Sequence, residues 1–190
     1  MENAFKIQTW LADYLRTELQ TLGSSAVVSE FEPGERGHYF LDSGTDQTIY
    51  VYLDRTNFED SQASQFDPQQ HGPFYNFDIY VATKALDNAG AFTSSIERTH
   101  RVMEVLSSTV YTILMNQTVK MALEDDLGFL IEKFFFKTCE KGGILERPES
   151  KRAAIVFRMT MSVSVQERNT GYDGIDLDLI VDEITTNEVT

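Results

Sequence analysis

Six apolar residues stand at strictly alternating positions in one stretch of this chain, and no other feature restricts its fold so tightly. Between Ala153 and Glu167 they are Ile155, Phe157, Met159, Met161, Val163 and Val165, set against Val156, Arg158, Thr160, Ser162, Ser164 and Gln166. A period of two over that length predicts an extended strand with one buried face and one largely polar face. Such a strand needs a sheet around it, and residues 74 to 117 supply a second strand and a cover. In FYNFDIYVAT, Tyr75, Phe77, Ile79 and Val81 share a face, the pattern of a half-buried strand. After a polar break at Asp87-Asn88-Ala89-Gly90, a helical pattern begins near Thr93-Ser94-Ser95 and runs to about Asn116, with Ser94 and Glu97 at capping-box spacing. Ile96, Met103, Leu106, Val110, Ile113 and Leu114 form its core stripe, which Val102 and Val105 widen. A helix of that length is expected to cover one face of the sheet.

The remaining elements are shorter or less regular. Residues 3–22 form an amphipathic helix, with Ile7, Leu11, Tyr14, Leu15, Leu19 and Leu22 at helical spacing, Trp10 packed in the core beside them and Gly23 as the stop. A short strand covers Ala26 to Glu32, Pro33 to Gly37 is a turn, and Tyr39 to Leu41 pairs briefly. Thr48 to Asp54 is a strand with apolar or aromatic residues on both faces, hence covered on both sides. Residues 117–126 read as an acidic link. Leu127 to Thr138 is a strand near an edge, interrupted by Glu132, Lys133 and Lys137, with Phe129, Ile131 and Phe135 opposite Leu130, Phe134 and Phe136. Cys139 to Arg152 reads as a polar connection, which makes residues 127–167 a long antiparallel hairpin with an extended tip. The class is α+β: a mixed, mostly antiparallel sheet with an N-terminal helix and one long helix packed on it, plus an extended loop and a C-terminal arm. Residues 1–170 are read as a single domain and 171–190 as an acidic arm.

At 190 residues a compact chain buries roughly 70% of its unfolded surface and needs no disulfide or metal to hold a core. The net charge of −14 argues against a broad nucleic-acid-binding face, which needs clustered Lys and Arg. Cys139 is the single cysteine, which excludes an intrachain disulfide and gives no sign of an oxidising compartment. Charge is spread through MENAFKIQTWLADYLRTELQ, so it reads as neither a signal peptide nor an anchor. No run approaches the ~18 apolar residues of a membrane helix. The protein is expected to fold in a cytoplasm.

Chemistry-bearing motifs are missing from the sequence. It has no Gly-x-Gly-x-x-Gly, no phosphate loop, no Gly-x-Ser-x-Gly and no His-Glu-x-x-His. His38, His71 and His100 are far apart, and His100 reads as a packed histidine. Glu124-Asp125-Asp126 has no metal-ligand spacing, and Asp173, Asp176 and Asp178 lack the order of a calcium loop. Ser107, Ser108 and Thr109 have no base at motif spacing, and Cys139 has no activating partner. No catalytic residue, no cofactor and no metal is therefore expected. Contact residues are the better candidates. The polar segment 55–73 reads as a partner-contacting loop or a surface loop, with Phe58 and Phe66 as its anchors. In the arm, Ile175, Leu177, Leu179 and Val181 alternate with Asp176, Asp178, Ile180 and Asp182, a pattern that can add a strand to a sheet edge of its own or a neighbouring subunit.

In the order of its elements and in its length, the chain resembles the tail-terminator and neck (head–tail joining) proteins of tailed bacteriophages. The correspondence lies in FYNFDIYVAT with the 93–117 helix after it, and in the closing hairpin that ends in AIVFRMTMSVSVQ. It covers most of residues 3–167 and leaves out the arm. The resemblance implies a non-enzymatic virion subunit that assembles in the host cytoplasm into a homo-oligomeric ring, commonly six-fold, at the head-proximal end of the tail tube. The implied partners are tail tube and neck proteins, with DNA passing through the channel without specific binding and no membrane involved. A head-completion adaptor, a tube protein and a free-standing binding module remain the alternatives.

Overall fold

The structure is a computed structural model and describes residues 2–30, 46–57, 74–86, 92–128, 130–147 and 152–165. In chain order these form α1 (Glu2–Thr21), β1 (Val27–Ser29), β2 (Gln47–Asn57), β3 (Phe74–Leu86), α2 (Phe92–Leu114), α3 (Gln117–Leu127), β4 (Ile131–Arg147) and β5 (Arg152–Val165). The five strands make one sheet in the order β1-β2-β3-β5-β4. β1 runs parallel to β2 and every other pairing is antiparallel. The α+β class is as expected. α1 lies against β1 and β2, and α2 against β3 and β5, so both helices cover the same face.

α1 buries Ala4, Ile7, Leu11, Ala12, Leu15 and Leu19, one stripe at a 3.6-residue period. Its end is built around Gly23, at φ +74°. The Ser24 N–H donates to the Leu19 carbonyl and the Gly23 N–H to the Gln20 carbonyl, both at 2.9 Å, a Schellman closure that needs a left-handed residue at that point. Leu22 falls beyond the last turn and is left outside the stripe assigned to it. Trp10 is only half-buried. It stacks on Tyr14 at 4.8 Å, and its Nε1 donates to Asp126 Oδ2 at 2.7 Å.

The alternating faces of β3 and β5 are more deeply enclosed than half-buried strands. Every residue from Phe74 to Thr83 is buried, as are Thr160, Ser162 and Ser164 on the polar side of β5. The reason is position: both strands are internal, with β3 between β2 and β5, and β5 between β3 and β4. One face carries the main core, where Ile49, Val51, Phe77, Ile79, Met159, Met161 and Val163 meet Leu11, Leu15, Val110 and Leu114. The opposite face carries a second cluster of Tyr50, Tyr52, Tyr80, Ala82, Ala154 and Val156. The two-sided burial expected for residues 48–54 is observed over Thr48 to Tyr52, while Leu53 is half-buried and Asp54 exposed.

Three boundaries differ from the sequence reading. Residues 117–127 form α3 rather than a link. Asn116 caps it, its side chain accepting from the Thr118 N–H at 3.2 Å, and Gly128 closes it at φ +72°. The acidic triplet forms its last turn, an unfavourable end for carboxylates on dipole grounds. Two of the three have specific partners, since Glu124 Oε1 accepts from the Ile131 N–H at 2.9 Å and Asp126 holds Trp10. β4 starts at Ile131 rather than Leu127 and continues through Cys139 to Arg147, so the supposed polar connection is mostly strand. Finally, the register shifts between Ile131 and Lys133 and between Phe136 and Thr138. Each bulge reverses the facing of the residues after it. Phe134 and Phe136 consequently pack with Ile131 on the core side, whereas Phe135 faces away and is 37% exposed. The antiparallel β4–β5 hairpin itself is as expected.

Candidate assembly surface

The six contact residues named from the sequence, Phe58, Phe66, Ile175, Leu177, Leu179 and Val181, lie outside the described residues, as does the Asp173–Asp178 cluster. The described surface offers other features: two unequal sheet edges, an apolar groove between helices, and a buried polar centre.

The first edge is closed by side chains. β1 pairs with β2 only as far as Tyr50, which leaves the flank of β2 beyond that point without a strand among the described residues. Gln8 of α1 fills part of the gap. Its Oε1 accepts from the Leu53 N–H at 2.8 Å, and its Nε2 donates to the Glu30 carbonyl at 2.7 Å. Arg16 Nη2 donates to the Val28 carbonyl at 3.3 Å. Backbone groups that could template another strand are thereby occupied. Replacing Gln8 with alanine removes two such bonds and is expected to cost about 1–3 kcal/mol. Amide hydrogen exchange at Leu53 should rise with it; unchanged exchange would show that Gln8 does not guard this edge.

The second edge is β4. Among the described residues no strand lies on its outer flank, and Glu132, Lys133, Phe135, Lys137, Thr138, Cys139, Glu140 and Lys141 are all exposed along it. Its bulges interrupt the ladder, and its lysines discourage indiscriminate pairing. Lys133 sits over the Phe74 ring at 5.1 Å and Lys141 approaches Glu104 at 3.9 Å. The Cys139 thiol has its pKa raised by desolvation, which keeps it a weak nucleophile near neutral pH.

On the helical layer, the sequence places Leu22 and Val105 in core stripes, and the structure corrects both: Leu22 is 62% exposed and Val105 68%. They lie on either side of one groove between the end of α1 and the first half of α2, with Leu19, Val102 and Leu106 between them. The physical reason is that α1 ends at Thr21, and α2 already seats Met103, Leu106 and Val110 on the sheet side. The signal for this surface was in the sequence as apolar stripes broader than one sheet contact requires. Which margin stays uncovered depends on helix placement.

The buried polar centre is on the opposite face of the sheet. Asp78 is fully buried. Its Oδ2 accepts from Arg158 Nε at 2.9 Å and Nη2 at 2.5 Å and from the Tyr52 hydroxyl at 3.4 Å, and its Oδ1 from Thr160 at 2.8 Å. Hydrogen bonding to Asp78 raises the Arg158 pKa above its ordinary value, against the opposing effect of burial. One row along, Asn76 and Ser162 face each other in register, fully buried, with neither side chain hydrogen-bonded. Asp78 and Arg158 form a closed pair across the two strands, an arrangement suited to fixing β3 against β5. Among the described residues no group of His, Cys, Asp and Glu could hold a metal ion, and His100 Nδ1 is buried without a partner. No helix among them is long and apolar enough to cross a membrane.

Neither a family model nor a curated protein matches this sequence. Among solved structures, a chain of a particle described as "Virion of native gene transfer agent (GTA) particle" superposes with a TM-score of 0.41 at 17% identity. The alignment spans 83% of this chain and 93% of that one.

Proposed function

We propose that the chain is a structural subunit of a tailed-phage virion: a ring-forming tail terminator that ends tube polymerisation and joins tail to neck. The observation that supports this most directly is the inequality of the two sheet edges. Growth by adding one subunit's sheet to the next needs a free edge at both ends. Here α1 side chains occupy the β1–β2 edge, while among the described residues no strand lies on the outer flank of β4. A subunit of that kind engages neighbours on one flank without propagating a sheet from the other, which suits a part that stops polymerisation. Ring closure then comes from heterologous side-chain contacts, which make rings when the rotation closes and filaments when it does not. The net charge of −14 fits a channel that passes DNA without holding it.

The test is solution mass by light scattering over a wide concentration range, with negative-stain imaging of the same sample, alone and with tail-tube ends. Closed rings, six copies of the 21.6 kDa chain, are the expected result. Open-ended filaments would favour the tube-protein reading. A monomer at every concentration that also ignores tube ends would overturn the ring and leave a free-standing binding module in front.

A further inference from the structure

The charges along β4 complement themselves. A Glu-Lys pair stands at each end of its first half, Glu132-Lys133 and Glu140-Lys141, and all four side chains are exposed. Set antiparallel to a second copy of itself, with Phe136 beside Lys137, the segment places Lys133 opposite Glu140 and Glu132 opposite Lys141. Two-fold symmetry makes each of these pairs twice. Opposite charges directly across an antiparallel pair are stabilising, and like charges are not. A slip of one residue in one direction sets Glu132 against Glu140. In the other direction it sets Lys133 against Lys141 and Lys137 against itself. Charge therefore favours one register over both of its neighbours.

The bulge at Lys137 makes that same register geometrically consistent. Residues opposite each other in a ladder share a face, and faces alternate along a regular strand. Partners such as Lys133 with Glu140, or Phe135 with Thr138, have odd separations in sequence, so a regular strand would put them on opposite faces. The extra residue between Phe136 and Thr138 removes the mismatch. Before it, Lys133 and Phe135 lie beside Ser164 and Ser162; after it, Thr138 and Glu140 lie beside Thr160 and Arg158, on the same polar side of β5. Phe134 packs on the core side, and Cys139 follows it there in register with Met159. A second copy brings the same bulge to the same place, whereas a strand without one falls out of step at Lys137.

We propose that β4 pairs with β4 of a second copy across a two-fold axis between Phe136 and Lys137, joining two five-stranded sheets into one. Phe135, exposed in the single chain, is then covered by Thr138 of the second copy, and backbone groups along the outer flank of β4 gain partners. Growth ends at two, because each far edge of the joined sheet is the one that Gln8 and Arg16 occupy. The intrachain contact of Lys141 with Glu104, at 3.9 Å between exposed groups, is weak competition. A two-fold contact is distinct from the heterologous contacts of the ring reading and does not rest on them.

Charge swaps in the full chain, read by sedimentation over a concentration series, test this. Below the concentration at which rings form, a dimer of twice 21.6 kDa is the expected species. Lys133→Glu and, separately, Glu140→Lys should each raise its dissociation constant about tenfold or more. The two changes together should restore it, which a merely damaged fold would not do. A dimer indifferent to the swaps would overturn the proposal. So would a monomer at every concentration, whether the edge stays unpaired or another segment of the same chain takes it. Cross-linking reads the register: on a Cys139→Ser background, Phe135→Cys and Thr138→Cys chains are mixed and mildly oxidised. A disulfide between the two different chains is expected, and disulfides between like chains alone would overturn the register. Rings from a chain that never gives this dimer would leave the ring reading standing without the pairing. Dimers that form no ring, even with tube ends, would keep the pairing and remove the ring.

Discussion

Replacing Arg158 with methionine is expected to cost about 3–5 kcal/mol of folding stability, a drop in melting temperature of about 6–20 °C for a domain of this size. The substitution keeps most of the side-chain volume and removes the charge, which leaves the Asp78 carboxylate fully buried with only Thr160 and Tyr52 to bond it. The converse change should be milder. The Arg158 side chain is 32% exposed, so in Asp78→Leu the guanidinium can turn to water rather than remain stranded, and about 1–3 kcal/mol is expected. Changing both residues together should recover most of the Arg158→Met loss, because no unpaired charge then remains inside. Urea denaturation of the three variants, read as midpoint shifts at constant slope, checks the order. If Asp78→Leu proved the more damaging single change, the unequal burial of the two partners would not be what governs this pair.

That pair also marks where the sequence stopped being legible. Both strands were readable from their alternation, and Asp78 and Arg158 each fell on the less apolar face. Their meeting depends on register, which puts Asp78 opposite Thr160 and Tyr80 opposite Arg158. No local pattern encodes a pairing between residues so far apart in the chain. The same limit explains the misread burial of β3 and β5. Alternation shows which residues share a face, and only the sheet order shows that both strands are internal and covered twice. In β4 the period itself misled, since bulges at Glu132 and Lys137 shift the facing of Phe134, Phe135 and Phe136. α3 was hidden because acidic residues in its last turn argue against a helix end, and the offsetting partners, Ile131 and Trp10, lie outside the segment. The candidate assembly surface was legible only as an excess of apolar residues. Leu22 and Val105 carried the right spacing for a core, and helix length and placement left them on the outside.

One residue before Asp78, Phe77 tests the other face of the same strand by different physics. Phe77→Ala is expected to cost about 3–5 kcal/mol, through lost apolar transfer and the cavity left behind. Phe77 is fully buried in the main core and stands between Leu53 on β2 and Met161 on β5 in the pairing registers. Strands fix both flanks, and α1 and α2 close the face, so the surroundings have little freedom to collapse into the space. Phe77→Leu, which keeps more of the volume, should cost under about 1.5 kcal/mol. Salt separates the two faces: a cavity loss has no charge in it and should be the same at low and high ionic strength. The Arg158→Met loss arises from a stranded carboxylate and need not share that indifference. A Phe77→Ala loss below about 1 kcal/mol would mean that the helical layer can settle onto β3. The grooves along that layer would then be adjustable surfaces, and the exposed Leu22 and Val105 would no longer mark a fixed one.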